Sequence, residues 1–312
     1  MRVSHMRSWN KITAVGISAA LGLLACACSS PTTGGRDKVI VAVGAENEYA
    51  NVIAQLGGRY VEVTAIMSNP NTDPHSFEAS PSVARVVSSA QLIVQNGVYY
   101  DTFMNTIEAA SPDPKRRVID VQKILALPVS TPNPHLWYDP RTMPAVAKAI
   151  AASLSEMAPA HRSYFASRLR SFDDSLTPWL RAIAAFKAEY PHIPVATTEP
   201  VADYMLEAVG ADIKTPFPLQ ADIMNGIDPA PQDITIEDNL FSEHRVDVFL
   251  YNEQVTDSVT ASFLSLAKKN GVPVVGVYET MPTPGYDYQT WMLAEVNALR
   301  KAVADKISTE RL

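Results

Sequence analysis

Apolar runs alternate with amphipathic segments along most of the chain. Short continuous apolar runs are typical of parallel strands that are buried on both faces. The longer segments between them repeat their apolar residues every three or four positions, as helices do. This alternation predicts an α/β protein with parallel-type central sheets. The predicted strands are 39–43, 61–67, 92–95, 118–121, 195–198, 246–251 and 272–278. The predicted helices are 48–56, 82–89, 141–157, 202–209, 234–243, 258–269 and 288–308.

One apolar stripe in the middle of the chain breaks this alternation. It persists over about six helical turns, or roughly 33 Å, and predicts one long α-helix. Pro178 should kink or interrupt this helix, because proline lacks the N–H that an intrahelical bond needs. We therefore expect two Rossmann-like βα lobes at 38–158 and 191–312, joined by a linking helix at 159–190. The stripe consists of Phe165, Leu169, Phe172, Leu176, Trp179, Ile183 and Phe186.

The N-terminal residues have the composition of an export signal. Three basic residues accompany an apolar stretch at 12–25 that is too short to be a good membrane span. The sequence Leu-Leu-Ala-Cys that ends at Cys26 is similar to a bacterial lipobox, in which the cysteine is lipidated. We expect a lipoprotein signal peptide at 1–25, lipid attachment at Cys26 and a flexible tether at 26–37. Cys28 is the weaker candidate for the lipid, and an ordinary secretory signal is the alternative.

Composition and charge limit the possible partners. The chain has 312 residues, 47% of them hydrophobic, which is enough for two domains of ordinary size. Its formal net charge of −7 argues against binding to nucleic acid or to an anionic bilayer, since both attract an excess of cations. Both cysteines lie at the signal junction. The folded part is therefore expected to lack disulfides and to offer a metal only nitrogen and oxygen ligands.

Four dispersed residues carry the chemistry that the sequence offers: His75, His135, Glu199 and Glu279. Each lies close after a short apolar run that is typical of a strand or of a strand edge. In open α/β sheets, ligand-binding groups gather at the carboxyl ends of the strands. Two imidazoles and two carboxylates that converge there would suit a first-row divalent metal ion.

Several motifs resemble one family, the substrate-binding lipoproteins of manganese and zinc ABC importers, over about residues 38–308. They are Asp-Pro-His-Ser-Phe-Glu at 73–78, the strand at 92–97 that ends in Asn-Gly, Asn-Pro-His-Leu-Trp at 133–137, and a looser match at 278–288. The resemblance implies two lobes joined by a helix, capture of one ion rather than catalysis, and delivery to a membrane permease that a separate ATPase powers. It also implies a monomer outside the cytoplasm, held at the cell membrane by its lipid.

The resemblance also implies the ligands. The family takes two histidines from its first lobe, which correspond to His75 and His135. Its third ligand is histidine or glutamate, here Glu199. Its fourth is usually aspartate, so Glu279 departs from the pattern, and Asp287 is the second choice.

Some residues near the expected ligands are expected to orient them or to pack against them. Glu78 and Asp139 are candidates to accept the second ring N–H of the two histidines, since a ligating imidazole normally donates that proton. Trp137 is expected to pack beneath the site. The remaining histidines are expected to play no part in binding.

The predicted ligand set favours Mn²⁺ over Zn²⁺. Two carboxylates neutralise a dication, and if both chelate it, the coordination number rises above the four that Zn²⁺ prefers. Zn²⁺ should nevertheless bind at least as tightly in vitro, and Fe²⁺ stays open.

Two other functions remain as alternatives. A secreted metallohydrolase could use such ligands, although the chain has neither HExxH nor GxSxG. A binder of a metal chelate, such as a siderophore or haem, would share the fold. The chain also lacks the phosphate-binding motif GxxxxGK[ST], so the energy for transport would come from another subunit.

Overall fold

The computed structural model describes residues 39–71 and 73–312. The predicted signal peptide, the lipid attachment at Cys26 and the tether lie outside the described residues. No helix among those that are described is long and apolar enough to cross a membrane.

The first lobe is a four-stranded parallel sheet with the strand order β2-β1-β3-β4. The central strand β1 is an almost continuously buried run, whereas the edge strand β2 alternates between more and less exposed residues. Its strands are β1 (Ile40–Glu46), β2 (Val61–Met67), β3 (Leu92–Gln95) and β4 (Arg117–Asp120). Its helices are α1 (Asn47–Gly57), α2 (Pro81–Ser89), α3 (Thr102–Ala110), α4 (Val121–Ile124) and α5 (Thr142–Met157).

The predicted linking helix is present as two helices, α6 (Arg162–Ser175) and α7 (Thr177–Glu189). Only Leu176 separates them, and Pro178 is the second residue of α7, so the interruption expected from this proline is there. The apolar stripe continues across the break. All of its members are buried except Leu169, which is partly buried and packs against the same core.

The second lobe repeats the arrangement of the first. Its parallel sheet has the order β6-β5-β7-β8, which is the same pattern of crossovers as in the first lobe. Its strands are β5 (Pro194–Thr197), β6 (Asp212–Ile213), β7 (Val248–Asn252) and β8 (Val274–Val277). Its helices are α8 (Asp203–Val209), α9 (Phe217–Met224), α10 (Pro231–Ser242), α11 (Ser258–Lys269) and α12 (Tyr288–Asp305).

Direct hydrogen bonds join the lobes beside α1. The side-chain amide of Asn47 donates to the carbonyl of Met281 at 2.8 Å and accepts from its N–H at 2.9 Å. The hydroxyl of Tyr288 donates to the carbonyl of Trp137 at 2.6 Å. These bonds are buried and join the two lobes directly.

Candidate metal centre

His75 lies in the loop after β2, on a single 3-10 turn over Pro74–Ser76. The carboxylate of Asp73 accepts a hydrogen bond from the backbone N–H of His75 at 2.8 Å, which fixes the start of the turn. Proline suits the first position of such a turn, because its missing N–H would have no partner there. The side chain of His75 is 21% exposed, whereas those of His135 and Glu279 are fully buried.

His135 directly precedes the 3-10 turn Leu136–Tyr138, and its ring packs edge-on against Trp137 with centroids 5.4 Å apart. Oδ1 of Asn133 accepts from the backbone N–H of His135 at 3.0 Å and lies 2.8 Å from its Nδ1. An amide oxygen can only accept, so Nδ1 carries a proton and the lone pair of the neutral ring is on Nε2. Asn133 thus holds the tautomer that a ligand through Nε2 requires.

The two candidate glutamates come from neighbouring parts of the second sheet. Glu199 lies two residues after β5 and Glu279 two residues after β8, with β7 between these strands. The last residue of β7, Asn252, donates from Nδ2 to Oε1 of Glu199 at 3.1 Å and to Oε1 of Glu279 at 2.8 Å. The carboxyl ends of three adjacent parallel strands therefore place both carboxylates within reach of one amide.

The histidines of the first lobe meet Glu279 of the second lobe at one carboxylate oxygen. Oε2 of Glu279 lies 3.0 Å from Nε2 of His75 and 3.2 Å from Nε2 of His135. The hydroxyl of Tyr100 donates to the same oxygen at 2.9 Å. One ligand atom of each histidine and of Glu279 lies within 4.8 Å of the others, a grouping found nowhere else among residues 39–71 and 73–312.

Glu199 adjoins this group through Asn252 without belonging to it. Its side chain is 2% exposed, and its Oε2 has no hydrogen-bond partner within the described part of the chain. A buried carboxylate oxygen without a partner is costly. A cation bound between the lobes would give this oxygen the partner that it lacks.

Burial and mutual charge shift the pKa values at the centre. Burial alone would raise the pKa of Glu279, but the charge of His75 and the contacts of its carboxylate with both histidine rings hold the pKa well below its usual range. Burial lowers the pKa of His75, yet the Glu279 carboxylate outweighs this effect and the net shift is upward. Burial lowers the pKa of His135. Burial and then the charge of Glu279 raise the pKa of Glu199 well above normal.

Without a cation, the centre thus balances its charges internally. The directions of these shifts favour the ionised form of Glu279 and the protonated form of His75, and they favour the neutral forms of His135 and Glu199. These groups fit a divalent transition-metal ion, which would replace the proton of His75 and stabilise the ionised form of Glu199. The donors are nitrogen and oxygen, as expected for a first-row metal.

Asp287, the second choice for the fourth ligand, begins α12. Its carboxylate accepts from the backbone N–H of Thr290 at 3.0 Å and so serves as the cap of that helix. Asp287 is not part of the three-residue group, whereas Glu279 is.

The expected second acceptor for His135 was wrong. Asp139 binds the guanidinium of Arg141, with Oδ2 3.0 Å from Nε, and Asn133 takes the role instead. Glu78, the other candidate acceptor, is exposed. Trp137 packs against His135 as expected.

Three residues that shape the centre were not selected from the sequence. Asn133 could have been found, because it lies two residues before His135 in the same motif. Tyr100 and Asn252 carry no such signal, since each is brought to Glu279 only by the fold.

A cleft of about 490 Å³ between the lobes opens beside His75. The first lobe lines it with His75, Tyr99 and Tyr100, and the second lobe with Met224 and Val255, among others. His75 and Tyr100 line the cleft and also contact Glu279. The cleft therefore leads from solvent to the candidate centre.

Comparison with known proteins gives a family match over most of the chain. The model of the ZnuA family, described as the periplasmic component A of the zinc-uptake complex, matches residues 43–302. The manganese-binding lipoprotein MntA of Bacillus subtilis is 21% identical over 254 residues, which are 78% of this chain and 81% of MntA. The zinc-binding protein TroA of Treponema pallidum is 24% identical over 188 residues, 58% of this chain and 59% of TroA.

Solved structures share the two-lobe fold. The periplasmic zinc-binding protein TroA of Treponema pallidum has a TM-score of 0.72 at 17% identity, covering 86% of this chain and 99% of that chain. The solute-binding protein FpvC of Pseudomonas aeruginosa, solved in complex with Mn²⁺, has a TM-score of 0.70 at 18% identity with the same coverage. At these identities the likeness is evidence for the fold alone.

Proposed function

The chain belongs to the ZnuA family, the periplasmic component A of zinc-uptake complexes, and from this premise we propose that it captures one divalent transition-metal ion between its lobes. His75, His135, Glu199 and Glu279 are the proposed ligands. The ion is cargo, to be passed to an ABC permease whose ATPase subunit supplies the energy. We infer no catalytic activity for the chain.

One observation carries this proposal. Nitrogen atoms of His75 and His135, from the first lobe, converge on one oxygen of Glu279 in the second lobe at 3.0 and 3.2 Å. Beside them, Glu199 holds a buried oxygen without a partner. Donors that converge this closely across a lobe boundary suit a bare ion better than a large chelate as cargo.

Capture depends on a proton leaving the centre. The charge of Glu279 raises the pKa of His75, so a proton on His75 is favoured and competes with the ion. An ion that arrives through the cleft meets His75 first, since this is the exposed candidate ligand. Loss of the His75 proton frees Nε2 and one face of Glu279 Oε2 together, so the ion takes the place of the hydrogen bond between the lobes.

Mn²⁺ and Zn²⁺ are the two proposed cargoes. Relatives of this chain are named for each of them, and the nitrogen and oxygen donors suit both. Mn²⁺ is favoured if both carboxylates chelate the ion, and Zn²⁺ if each offers a single oxygen.

We further propose that the chain works outside the cytoplasm as a monomer, held at the membrane through a lipid on Cys26. Relatives such as MntA are named lipoproteins, which supports the anchor. The permease is expected to dock around the mouth of the cleft beside His75, because the ion must leave where the ligands are accessible.

Metal analysis of protein purified from its native envelope tests the function. We expect about one transition-metal ion per chain, and its loss in a His135→Ala variant. A His192→Asn variant is the control, because His192 is 82% exposed and pairs with Asp212 away from the centre. Native protein without metal that also fails to bind Mn²⁺ and Zn²⁺ in vitro would refute the proposal.

A further inference from the structure

Asn252 occupies the position between the two candidate carboxylate ligands. It is the last residue of β7 and is fully buried. Its Nδ2 has two hydrogens, and it lies 3.1 Å from Oε1 of Glu199 and 2.8 Å from Oε1 of Glu279. One neutral amide therefore serves both carboxylates at once.

The orientation of this amide is fixed from its other side. Oδ1 of Asn252 accepts a hydrogen bond from the backbone N–H of Gln254 at 3.0 Å. A flipped amide would point its NH₂ group at this N–H and its oxygen at two carboxylates, so every contact would be repulsive. The nitrogen must therefore face Glu199 and Glu279.

The two oxygens of each glutamate differ in whether they accept a hydrogen bond from this amide. In Glu199 and Glu279 alike, Oε1 is bonded to Asn252. Oε2 of Glu279 instead faces the two histidine nitrogens, and Oε2 of Glu199 has no hydrogen-bond partner among the described residues. One oxygen of each carboxylate is thus hydrogen-bonded to the amide of Asn252, and the other is not.

Tyr100 further limits how the oxygens of Glu279 can bind an ion. Its hydroxyl donates to Oε2 at 2.9 Å and so uses one of the two lone pairs of that oxygen. Nε2 of His75 and Nε2 of His135 approach the same oxygen at 3.0 and 3.2 Å. Chelation by Glu279 would have to use the second lone pair of Oε1, because the hydrogen bond from Asn252 takes the first and Gln254 fixes the orientation of that amide.

We propose that Asn252 is a specificity-determining residue that limits each glutamate to one ligand oxygen. The ion then receives two nitrogens and two oxygens, a set of four donors that suits Zn²⁺ better than Mn²⁺, which takes more oxygen ligands. This inference rests on the proposed function and reverses the preference for Mn²⁺ that was expected from ligand composition. It concerns how the carboxylates bind, which the ligand types alone do not determine.

The absorption spectrum of the Co²⁺-loaded full-length protein tests the coordination number without a variant. Four-coordinate Co²⁺ has intense visible bands, whereas six-coordinate Co²⁺ has weak ones. We expect the intense spectrum. A weak spectrum from protein that binds one Co²⁺ per chain would overturn the inference and leave the proposed function standing. Failure to bind Co²⁺, Zn²⁺ and Mn²⁺ at all would refute the proposed function itself.

Competition between Zn²⁺ and Mn²⁺ tests the role of Asn252. Asn252→Ala frees both Oε1 atoms to chelate, so the ratio of Zn²⁺ to Mn²⁺ affinity should fall by about tenfold or more, and the Co²⁺ bands should weaken. Asn252→Ser keeps one hydrogen-bond donor, so its ratio of Zn²⁺ to Mn²⁺ affinity should lie between those of the wild-type protein and Asn252→Ala. The serine variant replaces the alanine variant in this test if the latter does not fold. Asn270→Ala is the matched control, since that amide bonds the carbonyl of Leu266. An unchanged ratio in a folded Asn252 variant would overturn the inference.

Discussion

Nε2 of His75 and Oε2 of Glu279 lie 3.0 Å apart, although the two residues belong to different lobes. This pair joins the most exposed candidate ligand to a fully buried one. In the proposed site, the ion would replace the hydrogen bond of this pair. The proton on His75 is therefore a direct competitor of the cargo.

Metal affinity should fall as the pH is lowered through the histidine range. The pKa of His75 is raised by Glu279, so protonation competes with the ion from a higher pH than for a free imidazole, whose pKa is about 6.5. Titration calorimetry in buffers of different ionisation enthalpy should detect proton release on binding. Affinity that is constant between about pH 5 and 7.5 would contradict this.

The metal-free protein should show a different dependence of stability on pH. The pKa of Glu279 is lowered, so the pair with His75 stabilises above the unfolded glutamate pKa of about 4.3 and loses this contribution as pH falls further. The pKa of His75 is raised, so its contribution is complete below about 6.5 and is lost as pH rises through the folded pKa. We expect the stabilisation by this pair to be greatest between these values. Urea denaturation with a chelator present, compared with His75→Ala, would measure it.

Removal of a ligand from the second lobe should cancel stabilisation by the ion. A ligand at a thousandfold excess over its Kd stabilises by about 4 kcal/mol. Glu199→Ala and Glu279→Ala should each lose much of the resulting thermal shift, while His161→Ala and His192→Ala should keep it. If both glutamate variants keep the full shift, the ion does not join the lobes.

The Asp287→Ala variant distinguishes a role of Asp287 as the cap of α12 from a role as a metal ligand. Its carboxylate caps α12, so the variant should lose about 1 kcal/mol of stability with or without metal. The additional shift caused by the ion should be unchanged. A shift that disappears in Asp287→Ala and survives in Glu279→Ala would mean that Asp287 is the fourth ligand.

Tyr100→Phe should weaken the metal-free protein. The variant removes the hydroxyl that donates across the lobes to Glu279, and hydrogen bonds to charged groups contribute about 1.5–3 kcal/mol. Urea denaturation in the presence of a chelator would measure the loss. Tyr99→Phe is the matched control, since Tyr99 is 73% exposed. Equal losses in the two variants would show that the Tyr100 hydroxyl contributes nothing specific.

Cys26→Ser should release the protein from the membrane or block its processing. The predicted lipid attaches to this residue, and Cys28→Ser is the control that should remain anchored. Membrane fractionation and labelling with a radioactive fatty acid would measure both. Attachment that survives in Cys26→Ser and fails in Cys28→Ser would identify the other cysteine.

The sequence predicted the elements whose signals are local. The strands β2 and β3 and the helix α11 have the predicted bounds. The helices α3, α4 and α9 and the two-residue strand β6 were not predicted. The fold of each lobe could nevertheless be inferred, because the short apolar runs and the longer amphipathic segments alternate in the order of βα units.

The residue types of the candidate ligands could be predicted from the sequence, whereas their arrangement in space could be predicted much less well. The histidines lie in recognisable motifs, and Glu279 and Glu199 follow apolar strands. The hydrogen bonds that orient them come from Tyr100, 179 positions before Glu279, and from Asn252 on a third strand. Such partners are set by tertiary structure, and they also decide how many oxygens a carboxylate can offer.

The reciprocal bonds between Asn47 and Met281 have a consequence for the order of folding. They join the start of α1 to a segment 234 positions later in the chain. A polypeptide synthesised from its N-terminus cannot complete the packing around α1 until almost all of its length is available. Contacts of such long sequence separation form slowly. The first lobe should therefore acquire its final structure only after Met281 has been synthesised, a delay that suits a chain expected to cross a membrane before it folds.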